Sequence, residues 1–205
     1  IAEIDTSMLQ GKWAREVQIT RKLEVGMGLI RKFILPNVPM YPEKLSVAEV
    51  ENRIKKYWSP YHRALKMLLD EKVAEFDAVF YIDWHSMKSK GNQMNIDSGR
   101  ERPDFVVSDQ DGKTSSRKFR DVIIKNLKSQ GYEVAVNYPY KGAELIKRYG
   151  VPTENRHAVQ IEINRRLYMD ESSFLKNNSF SVLKDNILKL TERLVYFTKA
   201  EKYYY

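Results

Sequence analysis

Asp83 and His85 stand two apart in the run "YIDWHSM", where an apolar stretch breaks off into an acid, an imidazole and a hydroxyl. In a strand, residues two apart point to the same face, so this carboxylate and imidazole lie side by side. Such a pair can bind a metal through one ring nitrogen while the acid orients the other nitrogen or adds a ligand. The plainer alternative is a histidine hydrogen-bonded at a strand end. A second run, "HAVQIEINRR", puts Gln160, Glu162 and Asn164 on one face and Val159, Ile161 and Ile163 on the other. Either its polar face is merely exposed, or Glu162 is a carboxylate held on a rigid strand as a general base. Arg165 and Arg166 follow, suited to pair with carboxylates or to sit in solvent.

Weaker signals surround these two runs. In "RPDFVVSDQDG", Arg102 is a candidate partner for a substrate carboxylate, and Asp111-Gly112 reads as a surface turn. Asn137, Lys141 and Lys147 flank a glycine-containing turn into a helix, which either holds an anion on backbone N–H groups or only connects two elements. His62 follows the helix break in "YWSPYHRAL", beside Trp58 and Tyr61, and reads as packing; His157 reads as the start of a strand. There is no phosphate loop of Walker type and no Gly-x-Ser-x-Gly elbow.

The elements that must position these residues follow from periodicity. Residues 46–70 read as a helix with Ser46 as N-cap and Glu49 completing a capping box, broken or kinked near Trp58 and Ser59 by Pro60. Strands are expected at 78–85, 104–109, 132–140 and 157–164. Helices are expected over "SSRKFRDVIIKNLKSQGY", stopped by Gly131, over "GAELIKRYG", and from Ser179 to Lys199. Strands of nearly continuous apolar character alternating with helices predict an α/β fold: a mostly parallel sheet flanked by helices on both faces. Ligands in such sheets bind outside the carboxyl ends of the strands. Asp83, His85, Asp109, Asn137, Glu162 and Asn164 are all expected at such ends.

The chain of 205 residues is expected to form a single domain. Its 42% hydrophobic and 30% charged content is that of an ordinary globular protein. No apolar run reaches the length of a membrane span, and the opening "IAEIDTSML" lacks the pattern of a signal peptide. With no cysteine, any metal must be held by His, Asp or Glu, and a cytoplasmic location is expected. The net charge of +8 is spread in short clusters interrupted by acids, which argues against a nucleic-acid partner and for a basic surface that attracts anions. The terminal "KYYY" reads as a frayed or packed end. Oligomeric state is not legible.

Five segments in order, "YWSPYHRAL", "IDWHSM", "RPDFVVSD", "GYEVAVNYPYKGAELIKRYG" and "HAVQIEINRRLYMDE", resemble the N-formylglutamate amidohydrolase family, over roughly Tyr41 to Glu171. The resemblance implies a fold like that of the zinc carboxypeptidases and hydrolysis of the formamide of N-formyl-L-glutamate, late in histidine degradation. It implies Zn2+, or another divalent metal, with His85 as a ligand and Asp5 at a matching acidic position. Glu162 matches the general base; Asn137 and Lys141 match a loop near the substrate, a small-molecule N-acyl amino acid. The family's His-Ser-Gly motif has no counterpart here, no histidine preceding His62, so the chain is expected to lack that N-terminal segment. Val38 stands where the family carries an arginine, Ser7 where it carries a second acid, and Ala143 where it carries a glycine. These departures keep two further readings in view: an amidase or peptidase for another acylated substrate, and a binding protein on the same fold.

Overall fold

The computed structural model describes residues 3–35, 37–93 and 95–201, and the chain divides into two compact units. The expected "KYYY" end lies outside the described residues. The first unit comprises residues 1–65 with 93–95, and the second residues 66–92 with 96–205. The first unit is built from short pieces. Strand β1 (Leu9–Gln10) pairs in parallel with β4 (Leu45–Ser46), and β2 (Phe33–Leu35) pairs antiparallel with β3 (Val38–Pro39). Helix α1 (Arg21–Glu24) and helix α2 (Val47–Arg53) complete it around a small core of Ile4, Met8, Leu9, Ile30 and Val50. The predicted cap of α2 is present: Glu49 N donates to Ser46 Oγ at 3.1 Å.

The helix break predicted at Pro60 takes another form. A π-helical turn, Ile54–Trp58, leads directly into helix α3 (Ser59–Phe76), which runs further than residue 70. Pro60, at the second position of α3, has no N–H to donate to the turn before it, and the widened π turn falls where that bond is missing. His62 packs against Trp58, with ring centroids 4.0 Å apart, as its aromatic setting implied.

The second unit holds a four-stranded sheet in the order β5-β8-β6-β7, made of β5 (Val79–Met87), β6 (Phe105–Ser108), β7 (Val134–Val136) and β8 (Arg156–Asn164). Helix α4 (Arg117–Ser129) joins β6 to β7, α5 (Glu144–Tyr149) precedes β8, and α6 (Phe180–Glu201) follows it. Gly131 closes α4 with φ +89°, a conformation that glycine adopts freely. Phe105, Val107, Val159 and Ile161 occupy one face with Phe119, Ile123 and Leu127 of α4 and Leu183, Leu190 and Leu194 of α6. The opposite face of β8 meets the start of α5, where Ala143 N donates to Gln160 Oε1 at 2.8 Å.

The sheet is mixed. β5 runs parallel to β8, and β6 parallel to β7, but β6 is antiparallel to β8. The cause is the β5–β6 connection, which has no crossover helix among its described residues and returns the chain in the reverse direction. Asp109 and Asn137 therefore follow strands that end at the other edge of the sheet from the ends of β5 and β8. The expected gathering of all strand ends at one edge is corrected to two pairs of ends.

Among the described residues no helix is long and apolar enough to cross a membrane. Phe119 is fully enclosed by the sheet and α6, so Phe119→Ala is expected to lower stability by about 3–5 kcal/mol, read as a drop in urea midpoint.

Candidate functional site

Strand β8 places Gln160 and Glu162 on the face away from the apolar core, and β5 brings Asp83 and His85 beside them. The register is one to one: Asp83 opposite Gln160 and His85 opposite Glu162. Parallel partners share a face, so four polar side chains from two strands converge. His85 Nε2 lies 3.0 Å from Asp83 Oδ2, and Nδ1 lies 3.8 Å from Glu162 Oε1. Gln160 Nε2 donates to the same Glu162 oxygen at 2.8 Å. The bonds form a chain from Ala143 N through Gln160 to Glu162, which fixes the carboxylate on a strand rather than a loop.

Glu162 is 6% exposed. Burial pushes its carboxyl above the ordinary value of 4.5, with His85, the Gln160 amide and Arg102 pulling the other way and Asp83 adding to the rise. Asp83 is buried as well, while His85 keeps much of its side chain open to solvent. A glutamate with a raised pKa beside an accessible imidazole is a better proton acceptor than an exposed glutamate, and suited to accept and return a proton.

The β5–β6 connection covers the neighbouring part of this face. Asn164 Nδ2 donates to Arg102 O at 3.1 Å and to Pro103 O at 3.0 Å. The Arg102 side chain is buried and grips Asp97 twice, Nε to Oδ2 at 2.6 Å and Nη2 to Oδ1 at 2.9 Å. Its hydrogen bonds to Arg102 hold the Asp97 carboxyl below the ordinary range. The Arg102 guanidinium lies 5.1 Å from the centre of the Tyr140 ring. Burial pushes the Tyr140 hydroxyl up, against the pull of Arg102.

The other predicted residues are placed as follows. Asn137, at φ +55°, has its side chain engaged by Asp109: Oδ1 accepts from Asp109 N at 3.0 Å, and Nδ2 donates to Asp109 Oδ1 at 2.8 Å. Lys141 is exposed and pairs with Asp111 at 2.7 Å. Arg165 Nε donates to Ser86 Oγ at 3.2 Å. Ser86 alternates with His85, so Arg165 lies toward the sheet face opposite Glu162. His157 Nδ1 accepts from Ser116 N at 3.1 Å, tying β8 to the cap of α4. In the first unit, Asp5 caps a 3-10 turn, accepting from Ser7 N at 2.9 Å and pairing with Lys32 at 2.8 Å. Burial raises the Asp5 carboxyl, but Lys32 and Ser7 outweigh it and the net direction is downward.

Among the described residues no group of three or more His, Asp or Glu side chains is arranged to hold an ion. His85 and Asp83 are two donors, and both ring nitrogens of His85 already face carboxylates. These residues alone do not complete a metal site. Sequence reasoning missed Asp97, five residues before its partner Arg102, and Tyr140, far from Arg102 in the chain; nothing in their spacing marks them.

The fold and this face define an α/β protein with acid–base groups set rigidly on adjoining strands. The chain belongs to the N-formylglutamate amidohydrolase family, whose profile matches residues 2–169. It is 37% identical to the N-formylglutamate amidohydrolase of Ralstonia eutropha JMP134, whose crystal structure superposes with a TM-score of 0.91 over 97% of this chain and 71% of that one. N-formylglutamate deformylases of Pseudomonas aeruginosa and Pseudomonas putida are 28% and 27% identical, each over 71% of this chain. The chain spans about half the length of these curated relatives, 55% and 54%. A protein of Agrobacterium tumefaciens shares the fold alone, at 17% identity and TM-score 0.52 over 74% of this chain and 56% of that one.

The raised Glu162 pKa carries a sign for stability. Its contribution is fully present below 4.5, where folded and unfolded chains are both protonated, and is lost as pH rises through the folded value. In chelator-treated protein, Glu162→Gln is therefore expected to gain stability relative to the parent between about pH 4 and about pH 8, measured by urea unfolding. A difference that stays flat or reverses contradicts the placement of Glu162 in a desolvated setting.

Proposed function

We propose that this protein hydrolyses the amide bond of a small N-acylated amino acid, with N-formyl-L-glutamate as the first candidate, releasing formate and glutamate. The supporting observation is the buried, raised Glu162 bonded to Gln160 and adjoined by the Asp83–His85 pair, in a chain of the N-formylglutamate amidohydrolase family. Glu162 takes the proton of the attacking water as its oxygen joins the formyl carbon. The carbon–nitrogen bond then breaks, and Glu162 returns the proton to the leaving amine. Gln160 keeps the carboxylate oriented through both transfers. Lys141, exposed on the loop after β7, is proposed to attract the substrate's acid groups, with Arg102 shaping the wall; Arg165, bonded to Ser86 on the opposite face, and Asn137, bonded to Asp109, are left out of the substrate contacts.

The zinc-carboxypeptidase-like fold, the divalent metal, the role in histidine degradation and the cytoplasmic location belong to the same proposal. A metal would take His85 among its ligands and polarise the scissile carbonyl. No step above is assigned to it, because the described donors do not close a site. The second reading, an amidase for another acylated substrate, draws on Val38, which stands where the family's arginine is expected.

Formate release from N-formylglutamate by the full-length protein is the direct test. Glu162→Gln is expected to cut kcat by about 10²–10⁴-fold with the fold retained; a variant with parental kcat removes Glu162 from the chemistry. Metal analysis and chelation test the cofactor: stoichiometric divalent metal, with activity lost on removal and restored on return, is expected. Full turnover after complete chelation overturns metal dependence. A clear preference for another N-acyl substrate favours the second reading.

A further inference from the structure

We propose that Asp97 is a positioning residue: it fills the carboxylate-binding fork of Arg102, and the buried pair pins the β5–β6 connection beside the end of β8 that carries Glu162. The kinetic consequence rests on the hydrolytic reading above; the placement of the pair does not.

Arginine recognises carboxylates through two parallel N–H bonds, and a buried arginine near an active carboxylate invites assignment to a substrate acid. Here that geometry is already satisfied from within. Nε and Nη2 are both taken by Asp97, and Nη1 donates to Lys88 O at 3.2 Å. Both side chains of the pair are 3% exposed, and the Tyr140 ring lies over the guanidinium. A substrate acid reaching Arg102 must displace Asp97 and leave a buried carboxylate without its partner, which is costly.

The surroundings are built to keep Asp97 where it is. Gly91 passes so close that a Cβ there would lie 2.2 Å from Asp97 O and 2.7 Å from Asp97 Oδ1. Gly91 N donates to Arg100 O at 3.1 Å, and Arg102 N to Ser89 O at 2.9 Å. Ser89 is held in turn by Glu171, whose carboxylate accepts from Ser89 N at 3.1 Å and from its hydroxyl. The connection then meets β8 through Asn164, two residues past Glu162 on the same face. A buried ion pair adds little net stability over apolar residues of similar size, so stability alone does not account for it. What it supplies is one fixed arrangement of the wall beside Glu162.

The test has two readouts. The first is kinetic. Arg102→Lys, which keeps the charge and loses the fork, and Gly91→Ala, which displaces Asp97 without touching either charge, are both expected to lower kcat by about 10-fold or more, with KM within about twofold. In a double-mutant cycle, Arg102→Met with Asp97→Leu is expected to be no worse than the weaker of the two single variants. A raised KM with unchanged kcat in Arg102→Lys makes Arg102 the substrate clamp and overturns the proposal; so does parental kinetics in both variants. The second readout needs no turnover. The Arg102 side-chain Nε–H resonance, identified by its loss in Arg102→Lys, is expected to exchange slowly, to stay unshifted under saturating formate and glutamate, and to broaden or exchange quickly in Asp97→Asn. A resonance that shifts with either product, or is indifferent to Asp97, overturns it. Absent turnover by the parent protein with a protected Nε–H removes the hydrolytic reading and leaves the pair in place.

Discussion

The second unit depends on the two-residue alternation of β8. Val159 and Ile161 face α4 and α6 and lie in the apolar core, while Gln160, Glu162 and Asn164 face the other way. A slip of one residue in register would move every one of these groups to the wrong face. Burial of the apolar set therefore specifies where the acid sits. β8 is central, bonded to β5 on one side and β6 on the other, so its backbone is held from both directions.

That rigidity is set against an electrostatic tension. Glu162 is withdrawn from water, which disfavours its charge, yet it keeps a hydrogen bond from Gln160 and the nearby positive charge of Arg102. The net direction is upward, which makes the carboxylate a stronger base than an exposed glutamate. The imidazole next to it is bracketed by two acids, so its ring is oriented without a loop having to close over it.

Much of this was legible in the sequence. The alternation in "AVQIEIN" and the spacing of Asp83 and His85 identified two strands and the face each side chain would take, because period two is a local property. Ser46, Gly131 and the helical spans were legible for the same reason. The direction of β6 was not, since parallel and antiparallel partners have the same pattern and only the missing crossover helix distinguishes them. Asn137 illustrates the limit for the site: an amide at a strand end signals a ligand contact, yet its bonds go to Asp109, at a turn 28 residues earlier. The capture of Arg102 by Asp97, five residues earlier, is hidden because neither residue belongs to a regular element.

The β5–β6 connection has one more implication. It leaves β5 just beyond His85 and enters β6 with no helix or strand among its described residues, while both β5 and β6 are paired to β8. Insertions and replacements there would remodel the wall beside the acid while the strands bearing the reactive groups kept their register. Divergence of substrate choice among relatives has in this segment a place to accumulate, separate from the parts of the chain that folding holds constant.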